Sequence, residues 1–145
     1  MAGEATTVTV EESGPGMLAE IVKAGRHVLS ADEPFAAGGT DTGPSPYEYL
    51  LGALGTCTAM TLRLYLKRKG WPVGRISVRL SHDRVHAEDC ADCEAKDAKL
   101  DRIQRVIRFE GDLDDEQRQK LLEIANKCPV HRTLTSEIRV VTTLN

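Results

Sequence analysis

The amino-acid sequence predicts a single α+β domain in which short antiparallel strands alternate with two helices. Two observations lead to this prediction. Runs of alternating apolar and polar residues, typical of strands with one solvent-facing side, occur near both ends of the chain and in its middle. Two longer stretches begin with helix-capping residues and carry apolar residues at helical spacing. Because 145 residues is close to the usual size of one domain, we expect residues 1–145 to form one folding unit.

The composition argues against several classes of protein. The 19 basic and 22 acidic residues give a formal net charge of −3, which offers no electrostatic attraction for nucleic acid or an anionic membrane surface. Met1 to Thr7 has no apolar segment, which argues against a secretory signal. The uncharged run Tyr49 to Leu62 is shorter than the roughly 18 to 20 residues of a membrane-spanning helix. We therefore expect a cytoplasmic protein that binds neither nucleic acid nor membranes.

The first third of the chain predicts a small antiparallel meander. Thr6 to Glu11 alternates as a strand does, and two short strand-like runs, Leu18 to Val22 and His27 to Leu29, follow it. The stretch Pro34 to Pro46 is rich in Gly, Pro, Ser, Thr and Asp, which is typical of a loop that leads into a helix. We interpret this loop as a connection within one domain, because too few residues precede it to form a core of their own.

The first helix is predicted to run from Ser45 to about Lys69. Ser45 is suited to the N-cap and Pro46 to the first helical position, while Glu48 is placed to accept a hydrogen bond from the N-cap amide. Gly70 is suited to the left-handed position that ends a helix. Since apolar residues cover almost the whole circumference, we expect this helix to be buried on nearly all sides.

The middle of the chain predicts a hairpin, and its end predicts a further strand. Residues 75–81 alternate as a strand with one wet face, and a second strand is expected within Asp101 to Glu110. The two strands are expected to pair across the acidic stretch His86 to Asp97. Ile138 to Leu144 alternates in the same way, and we predict that it forms the last strand of the fold.

A second helix is predicted between the hairpin and the last strand. It begins at Asp114, with Gln117 in the position that completes a capping box, and its apolar stripe extends to Cys128. Pro129 ends this helix, because proline cannot continue it. A short further turn is possible from Pro129 to Leu134.

Cys57 lies in the middle of the first helix. Four cysteines in a chain without a secretory signal indicate reduced thiols with a catalytic, redox or metal role, although a free cysteine is also a common core residue. Burial alone makes a thiol inert, so a reactive Cys57 needs a cation from elsewhere in the fold. Arg26 is the only arginine before Arg63, which makes Arg26 the candidate if the N-terminal strands supply that cation.

Cys128 has a more informative local sequence. If Pro129 is the first residue of a short helix, Cys128 is its N-cap, where the helix dipole and free N–H groups favour a thiolate. His131 and Arg132 lie within one turn and could add positive charge. The alternative interpretation is a cysteine that faces the core at a helix end, beside a solvated arginine, and the local sequence leaves both open.

A third set of candidate residues has the side chains that zinc prefers. Sulfur and imidazole ligands suit zinc, and one Cys-x-x-Cys motif supplies half of a common zinc site, but no second such motif is present. A solvated acidic loop is the alternative, and an auxiliary redox role is a further one. The four residues are His82, His86, Cys90 and Cys93.

Two motifs relate the chain to a known family. The stretch Gly-Pro-Ser-Pro-Tyr-Glu-Tyr-Leu-Leu-Gly-Ala-Leu-Gly-Thr-Cys at 43–57 opens the first helix, and Cys-Pro-Val-His-Arg-Thr-Leu at 128–134 follows the second. With these motifs the chain resembles, over nearly its whole length, the OsmC/Ohr proteins, which are thiol-dependent reductases of organic and inorganic hydroperoxides. The segment Asp32-Glu33-Pro34, the pair Tyr47-Glu48 and the Cys-Pro-Val-His end most resemble the OsmC-like branch of that family.

The resemblance implies a fold and an assembly. It implies an OsmC-like α+β fold, with two antiparallel sheets packed around two long central helices, in an intertwined homodimer with active sites at the subunit interface. It also implies a role in oxidative stress defence, as a peroxidase that needs no cofactor. The expected partners are a hydroperoxide substrate and an external dithiol reductant.

The resemblance also assigns roles to individual residues. Cys57 corresponds to the peroxidatic cysteine, which forms a sulfenic acid, and Cys128 to the resolving cysteine, which condenses with it to a disulfide. The family uses an arginine and a glutamate to poise the first thiolate. Arg26 is the first candidate for the arginine and Arg132 the second. Tyr47 occupies the usual glutamate position, so Glu48, one residue later, is the candidate carboxylate and also a helix-capping residue.

A second function remains open from the sequence. A member of this fold without peroxidase activity would bind a small apolar ligand, or would sense thiols or metal through Cys90 and Cys93. Tight ligand binding without peroxide turnover, or zinc in protein purified without added metal, would favour this alternative.

Overall fold

The computed structural model describes residues 3–86 and 99–145, except for the side chain of His86. Its strands form two antiparallel sheets, one of three strands and one of two, accompanied by helices. The α+β class that the sequence predicts is therefore confirmed. The chain divides into two compact units, Met1–Leu50 and Leu51–Asn145. The assignment of the whole chain to a single domain stays a prediction.

The sheet of the first unit is the predicted meander. Strand β1 (Thr9–Glu12) pairs with β2 (Glu20–Ala24), and β2 pairs with β3 (His27–Ala31), both antiparallel. A two-residue turn joins β2 to β3, and its first residue, Gly25, has a φ of 60°. Glycine adopts this left-handed conformation without steric cost, so the sequence can reverse direction here in two residues. Arg26 is the second, exposed residue of the turn.

The loop after β3 is organised around the carboxylate of Asp32, whose residue is 2% exposed. Its Oδ2 accepts hydrogen bonds from the hydroxyls of Thr40 and Thr42, both at 2.7 Å, and from their backbone amides. Its Oδ1 accepts a hydrogen bond from the amide of Glu33. Gly39 fits inside this loop because it lacks a Cβ, which would lie 1.9 Å from the carbonyl oxygen of Glu33. The hydrogen bonds to Asp32 therefore fix the conformation of this loop.

Helix α1 (Pro46–Lys69) begins with the predicted cap. The amide of Ser45 donates to Glu48 Oε1 at 3.1 Å, and the amide of Glu48 donates to Ser45 Oγ at 3.3 Å. These two reciprocal bonds satisfy amides that the first helical turn leaves unpaired. Gly70, with a φ of 69°, follows the last helical residue. Both ends of the predicted helix are confirmed.

The second unit contains the hairpin and two further helices. Strands β4 (Ile76–His86) and β5 (Lys99–Phe109) pair antiparallel, from Ile76 opposite Phe109 to His86 opposite Lys99. Helix α2 (Asp115–Ala125) starts with the predicted capping box of Asp114 and Gln117. It ends at Ala125, three residues before the predicted end, and a short helix α3 (Pro129–Leu134) follows.

The core of the second unit lies where α1 and α2 pack against each other and on the hairpin. Leu62 and Leu66 of α1 and Leu121 of α2 are almost inaccessible to solvent. Around them pack partly buried side chains from the hairpin, from the segments that flank it and from α2. These side chains are Trp71, Val73, Ile76, Ile107, Phe109, Leu113 and Ile124.

Two expectations are wrong for the single chain. Helix α1 is not buried on nearly all sides, because Met60 and Leu64 lie on a face that α2 and the hairpin leave 66% and 70% exposed. The segment Ile138 to Leu144 forms no strand, since no strand in the described ranges pairs with its backbone. Val140 in that segment is 83% exposed. The Met60–Leu64 face of α1 and the segment Ile138 to Leu144 therefore both expose apolar side chains to solvent in this chain.

None of the helices in the described residues combines the length and the apolar character that crossing a membrane requires.

We predict that replacing Asp32 destabilises the protein in a pH-dependent way. Hydrogen bonds from the hydroxyls of Thr40 and Thr42 hold the pKa of Asp32 far below its usual range. Because the folded pKa is depressed, the resulting stability is complete above the unfolded pKa of about 3.9 and is lost as the pH falls through and below it. Asp32→Asn should lower the thermal midpoint at pH 7, and its midpoint should approach that of the wild type below about pH 4.

The matched control for this measurement is Asp41→Asn, which changes an exposed carboxyl of the same loop. Its thermal midpoint is expected to stay near that of the wild type. Equal midpoints for the two variants at pH 7 would show that the buried carboxylate does not hold the loop.

Candidate functional site

The second unit brings Cys57 and Cys128 together. The side chains of the two residues are hydrogen-bonded to each other, and both thiols are free. Cys57 lies on α1 and is partly exposed, whereas Cys128 has no exposed surface. The structure therefore brings together two residues that the sequence singles out and that lie far apart along the chain. The neighbour of Cys57 on the helix, Thr58, is 70 residues from Cys128.

Helix α1 places Cys57 beside a polar residue that faces inward. Thr58 is fully buried, and its hydroxyl donates a hydrogen bond to the carbonyl of Leu54 at 2.7 Å. The same hydroxyl lies 3.9 Å from the sulfur of Cys128. Gly55, one turn earlier, leaves room for Leu80 of β4, because a Cβ at Gly55 would lie 2.8 Å from a terminal methyl of that leucine. The helix and the hairpin can therefore approach closely next to the site.

Cys128 caps helix α3, as its local sequence indicates. Its backbone is extended, with φ −62° and ψ 141°, and Pro129 is the first helical residue. Its sulfur accepts a hydrogen bond from the amide of His131 at 3.3 Å. Because α2 ends at Ala125 with Asn126 as its C-cap, Cys128 belongs to α3 and not to α2. The N-cap interpretation is confirmed.

Arg105 of β5 is the residue of this site that the sequence analysis missed. Its Nη1 donates to the Thr58 hydroxyl at 2.9 Å, and its Nη2 donates to Asn126 Oδ1 at 2.9 Å and to His131 Nδ1 at 3.3 Å. A signal was present in the strand alternation, because Arg105 shares the inward register with two partly buried isoleucines, Ile103 and Ile107. An arginine at an inward position of a strand indicates an interior partner.

These contacts set the protonation of the cysteine. Burial alone raises the pKa of Cys128. The hydrogen bonds from the His131 amide, the Cys57 thiol and the Thr58 hydroxyl, together with the positive charge of Arg105, more than offset this effect and lower the pKa below its usual value. Cys128 is therefore held in surroundings that favour its thiolate.

The histidine of the site is kept neutral. Burial and the charge of Arg105 lower the pKa of His131. Because its Nδ1 accepts a hydrogen bond from the guanidinium, the proton of the neutral ring is on Nε2. The suggestion that His131 adds positive charge beside Cys128 is therefore wrong, and the residue contributes its backbone amide instead.

A cavity of about 410 Å³ borders this group of side chains. Its polar lining includes Arg105 and two of its hydrogen-bond partners, Asn126 and His131. Most of the remaining lining is apolar, from Leu54, Ile103, Ile107, Leu122 and Leu134. The cavity can accept a small molecule with an apolar body next to the polar site.

The structure gives the other predicted site residues the following local surroundings. Arg26 occupies the exposed β2–β3 turn of the first unit, and Glu48 caps α1. Tyr47 is 50% exposed, and Arg132 is an exposed residue of α3. The catalytic roles of Arg26 and Glu48 stay predictions.

The zinc-site hypothesis lies mainly outside the described residues. Cys90, Cys93 and the side chain of His86 are not described, and His82 Nε2 is hydrogen-bonded to Asp101 Oδ1 at 2.8 Å. Within residues 3–86 and 99–145, no group of three or more histidine, cysteine, aspartate or glutamate side chains is arranged to hold a metal ion. The hypothesis therefore stays untested.

Comparisons with known proteins agree with the fold and the motifs. The family model described as OsmC-like protein matches residues 39–143. An OsmC-like protein from Mycoplasma pneumoniae has a TM-score of 0.71 at 14% identity, over 92% of this chain and 89% of that one. An organic hydroperoxide resistance protein from Legionella pneumophila has a TM-score of 0.65 at 15% identity, over 93% and 92%.

A third solved structure extends the comparison. The organic hydroperoxide resistance protein OhrB of Bacillus subtilis has a TM-score of 0.60 at 19% identity, over 91% of each chain. At these identities the three structures show a common fold. No curated protein sequence matches the chain.

Proposed function

Because the chain belongs to the OsmC-like protein family, we propose that it is a thiol-dependent hydroperoxide reductase that acts in oxidative stress defence. One observation carries the proposal: two free thiols, one partly exposed and one fully buried, are in hydrogen-bond contact beside a guanidinium. The organic hydroperoxide resistance proteins of Legionella pneumophila and Bacillus subtilis share the fold, which supports the same substrate class.

In the proposed reaction, exposure decides which thiol meets the peroxide. Cys57 is partly exposed and Cys128 is not, so a peroxide in solution reaches the sulfur of Cys57 first. The Cys57 thiolate attacks one oxygen of the peroxide, and the O–O bond breaks. The sulfur becomes a sulfenic acid, and the other oxygen leaves as an alcohol after it takes up a proton.

The second step uses the contact between the sulfurs. The Cys128 thiolate attacks the sulfenic sulfur of Cys57, a disulfide forms, and the hydroxyl leaves as water after it takes up a proton. The Cys57 side chain is close enough to influence the pKa of Cys128, which supports this step. An external dithiol then reduces the disulfide and is itself oxidised, which returns both thiols.

Two residues of the first unit belong to the proposal as family assignments. Arg26 is the proposed cation and Glu48 the proposed carboxylate that poise the Cys57 thiolate. The hydrogen bonds of Glu48 at the start of α1 give it a structural role as well. A test of Glu48 must therefore separate its charge from its capping bond.

The proposed active form is a homodimer. The exposed apolar side chains of Met60 and Leu64 and the unpaired segment Ile138 to Leu144 are surfaces that a second copy would cover. An alternating segment without a partner strand is suited to pairing with another chain. These two features support the assembly that the family resemblance implies.

We expect the two cysteines to fail in different ways when they are replaced. Cys57→Ser should abolish the consumption of tert-butyl hydroperoxide with dithiothreitol as reductant. Cys128→Ser should consume about one peroxide per chain without added reductant, because the sulfenic acid forms but has no partner. Peroxide loss and trapping of the sulfenic acid with dimedone, followed by mass spectrometry, measure both outcomes.

The matched control replaces the other two cysteines. Cys90→Ser with Cys93→Ser should retain turnover. Full turnover by Cys57→Ser would refute the assignment of Cys57, and loss of turnover in the control would favour a role for the Cys-x-x-Cys motif.

We predict that the charge of Glu48 contributes to activity apart from its capping bond. Glu48→Gln keeps an oxygen that can accept from the Ser45 amide, so the thermal midpoint should be unchanged while kcat/KM falls tenfold or more. Ser45→Ala should cost about 1 kcal/mol of stability, through loss of the N-cap, and should leave kcat/KM near that of the wild type. Unchanged kcat/KM in Glu48→Gln would make Glu48 a capping residue only.

The homodimer predicts a particle of roughly twice the 15.9 kDa chain mass by light scattering. Met60→Glu with Leu64→Glu should shift the protein toward the monomer, because two charges would have to be buried. Val106→Glu, at a position on β5 that is as exposed as Met60, is the matched control and should leave the mass unchanged. A monomeric wild-type protein would contradict the assembly.

A further inference from the structure

Arg105 connects three elements around Cys128. Its guanidinium bonds to Thr58 on α1, to Asn126 after α2 and to His131 on α3. The Thr58 hydroxyl accepts from Arg105, so its own hydrogen remains for the Leu54 carbonyl or the sulfur of Cys128. Loss of Arg105 would therefore loosen several groups that contact this sulfur at once.

The charge of Arg105 is not balanced by these contacts. A guanidinium stays protonated at any ordinary pH, and its three hydrogen-bond partners here are a hydroxyl, an amide and a neutral imidazole. Asp101 lines the same cavity, but its carboxylate is engaged by His82 and Arg84. Cys128 contacts two of the groups that Arg105 holds, Thr58 and His131, and its thiolate can carry a balancing negative charge.

Among the residues that the structure describes, the titratable and charged groups that face Cys128 come from three elements. They are Cys57 of α1, Arg105 of β5 and His131 of α3. The pKa of His131 is lowered, and this residue contributes its backbone amide to the sulfur. Arg105 is therefore the positively charged member of the group.

We propose that Arg105 is a positioning residue that stabilises the negative charge of the Cys128 thiolate once Cys57 has been oxidised, and thereby prepares the disulfide-forming step; this inference rests on the proposed function. Arg105 holds Thr58 and His131 against the sulfur and supplies the opposite charge. A resolving thiol held as a thiolate attacks the sulfenic acid of Cys57 without waiting for a proton to leave. Arg105 thus serves the second step of the cycle, whereas Arg26 is assigned to the first.

The first arm of the test needs no peroxide. In protein with Cys57→Ser, Cys90→Ser and Cys93→Ser, Cys128 is the only thiol, and thiolate absorbance near 240 nm against pH reports its ionisation. Adding Arg105→Gln should move the midpoint upward by about one pH unit, because an opposite charge is removed. Arg105→Lys should restore part of the change, and Arg108→Gln, an exposed arginine on the same strand, should leave the midpoint unchanged.

A second readout covers the case in which Arg105→Gln folds poorly. Nitrogen NMR of His131 in Arg105→Lys should show loss of the strong preference for the proton on Nε2, since the forked guanidinium is gone. An unmoved thiolate midpoint in folded Arg105→Gln, or an unchanged histidine signal in Arg105→Lys, overturns the proposal.

The kinetic arm separates this inference from the proposed function. In protein with all four cysteines, Arg105→Gln should accumulate dimedone-reactive sulfenic acid after the first equivalent of hydroperoxide, whereas the wild type should pass on to the disulfide. Disulfide formation as fast as in the wild type would overturn the assignment to the second step. If the wild-type protein consumes no peroxide and Arg105→Gln still moves the Cys128 midpoint, the proposed function fails while the charge assignment holds.

Discussion

The packing of α2 against α1 decides where the two thiols of this protein lie. Leu62 and Thr58 share one face of α1 at four-residue spacing, and Leu121 and Ala125 pack in the same buried cluster as Leu62. Cys128 follows Ala125 and reaches Thr58, so the apolar contact between the helices continues into the polar site. Removing a buried leucine costs roughly 2–5 kcal/mol, whereas a typical hydrogen bond contributes about 1 kcal/mol. The core therefore holds the geometry, and the hydrogen bonds adjust it.

The two cysteines acquire different chemistry from this one arrangement. Cys57 has no local feature that sets it apart from other helical residues, and it is a candidate for thiol chemistry because the fold brings Cys128 to it. Cys128 owes its character to local backbone, since the amide of His131 would point at the N-cap sulfur in any context that keeps α3. Cys57 is the more accessible of the two thiols, whereas Cys128 is the one whose surroundings favour the thiolate. A two-step thiol cycle requires this division, because an accessible attacking group and a protected resolving group have opposite needs.

The sequence predicted the features that depend on neighbouring residues. Capping boxes and alternation located both long helices and the hairpin, because caps and side-chain periods are set within a few residues. The prediction of a strand at Ile138 to Leu144 is wrong for the single chain. Alternation of apolar and polar residues does not show whether a partner strand lies beside a segment. Arg105 belongs to no local motif, and only its register with Ile103 and Ile107 places it on the inward face of β5. The contact between Cys57 and Cys128 depends on the tertiary fold and could not be read from either local sequence.

The apolar surfaces that the single chain leaves open have a thermodynamic consequence. Met60, Leu64 and the segment Ile138 to Leu144 gain burial only from another molecule in the proposed homodimer. Whatever binds the folded form and not the unfolded form stabilises it by mass action, and here the ligand would be the protein itself. The free energy of unfolding would then rise with protein concentration, so dilution would act as a denaturant.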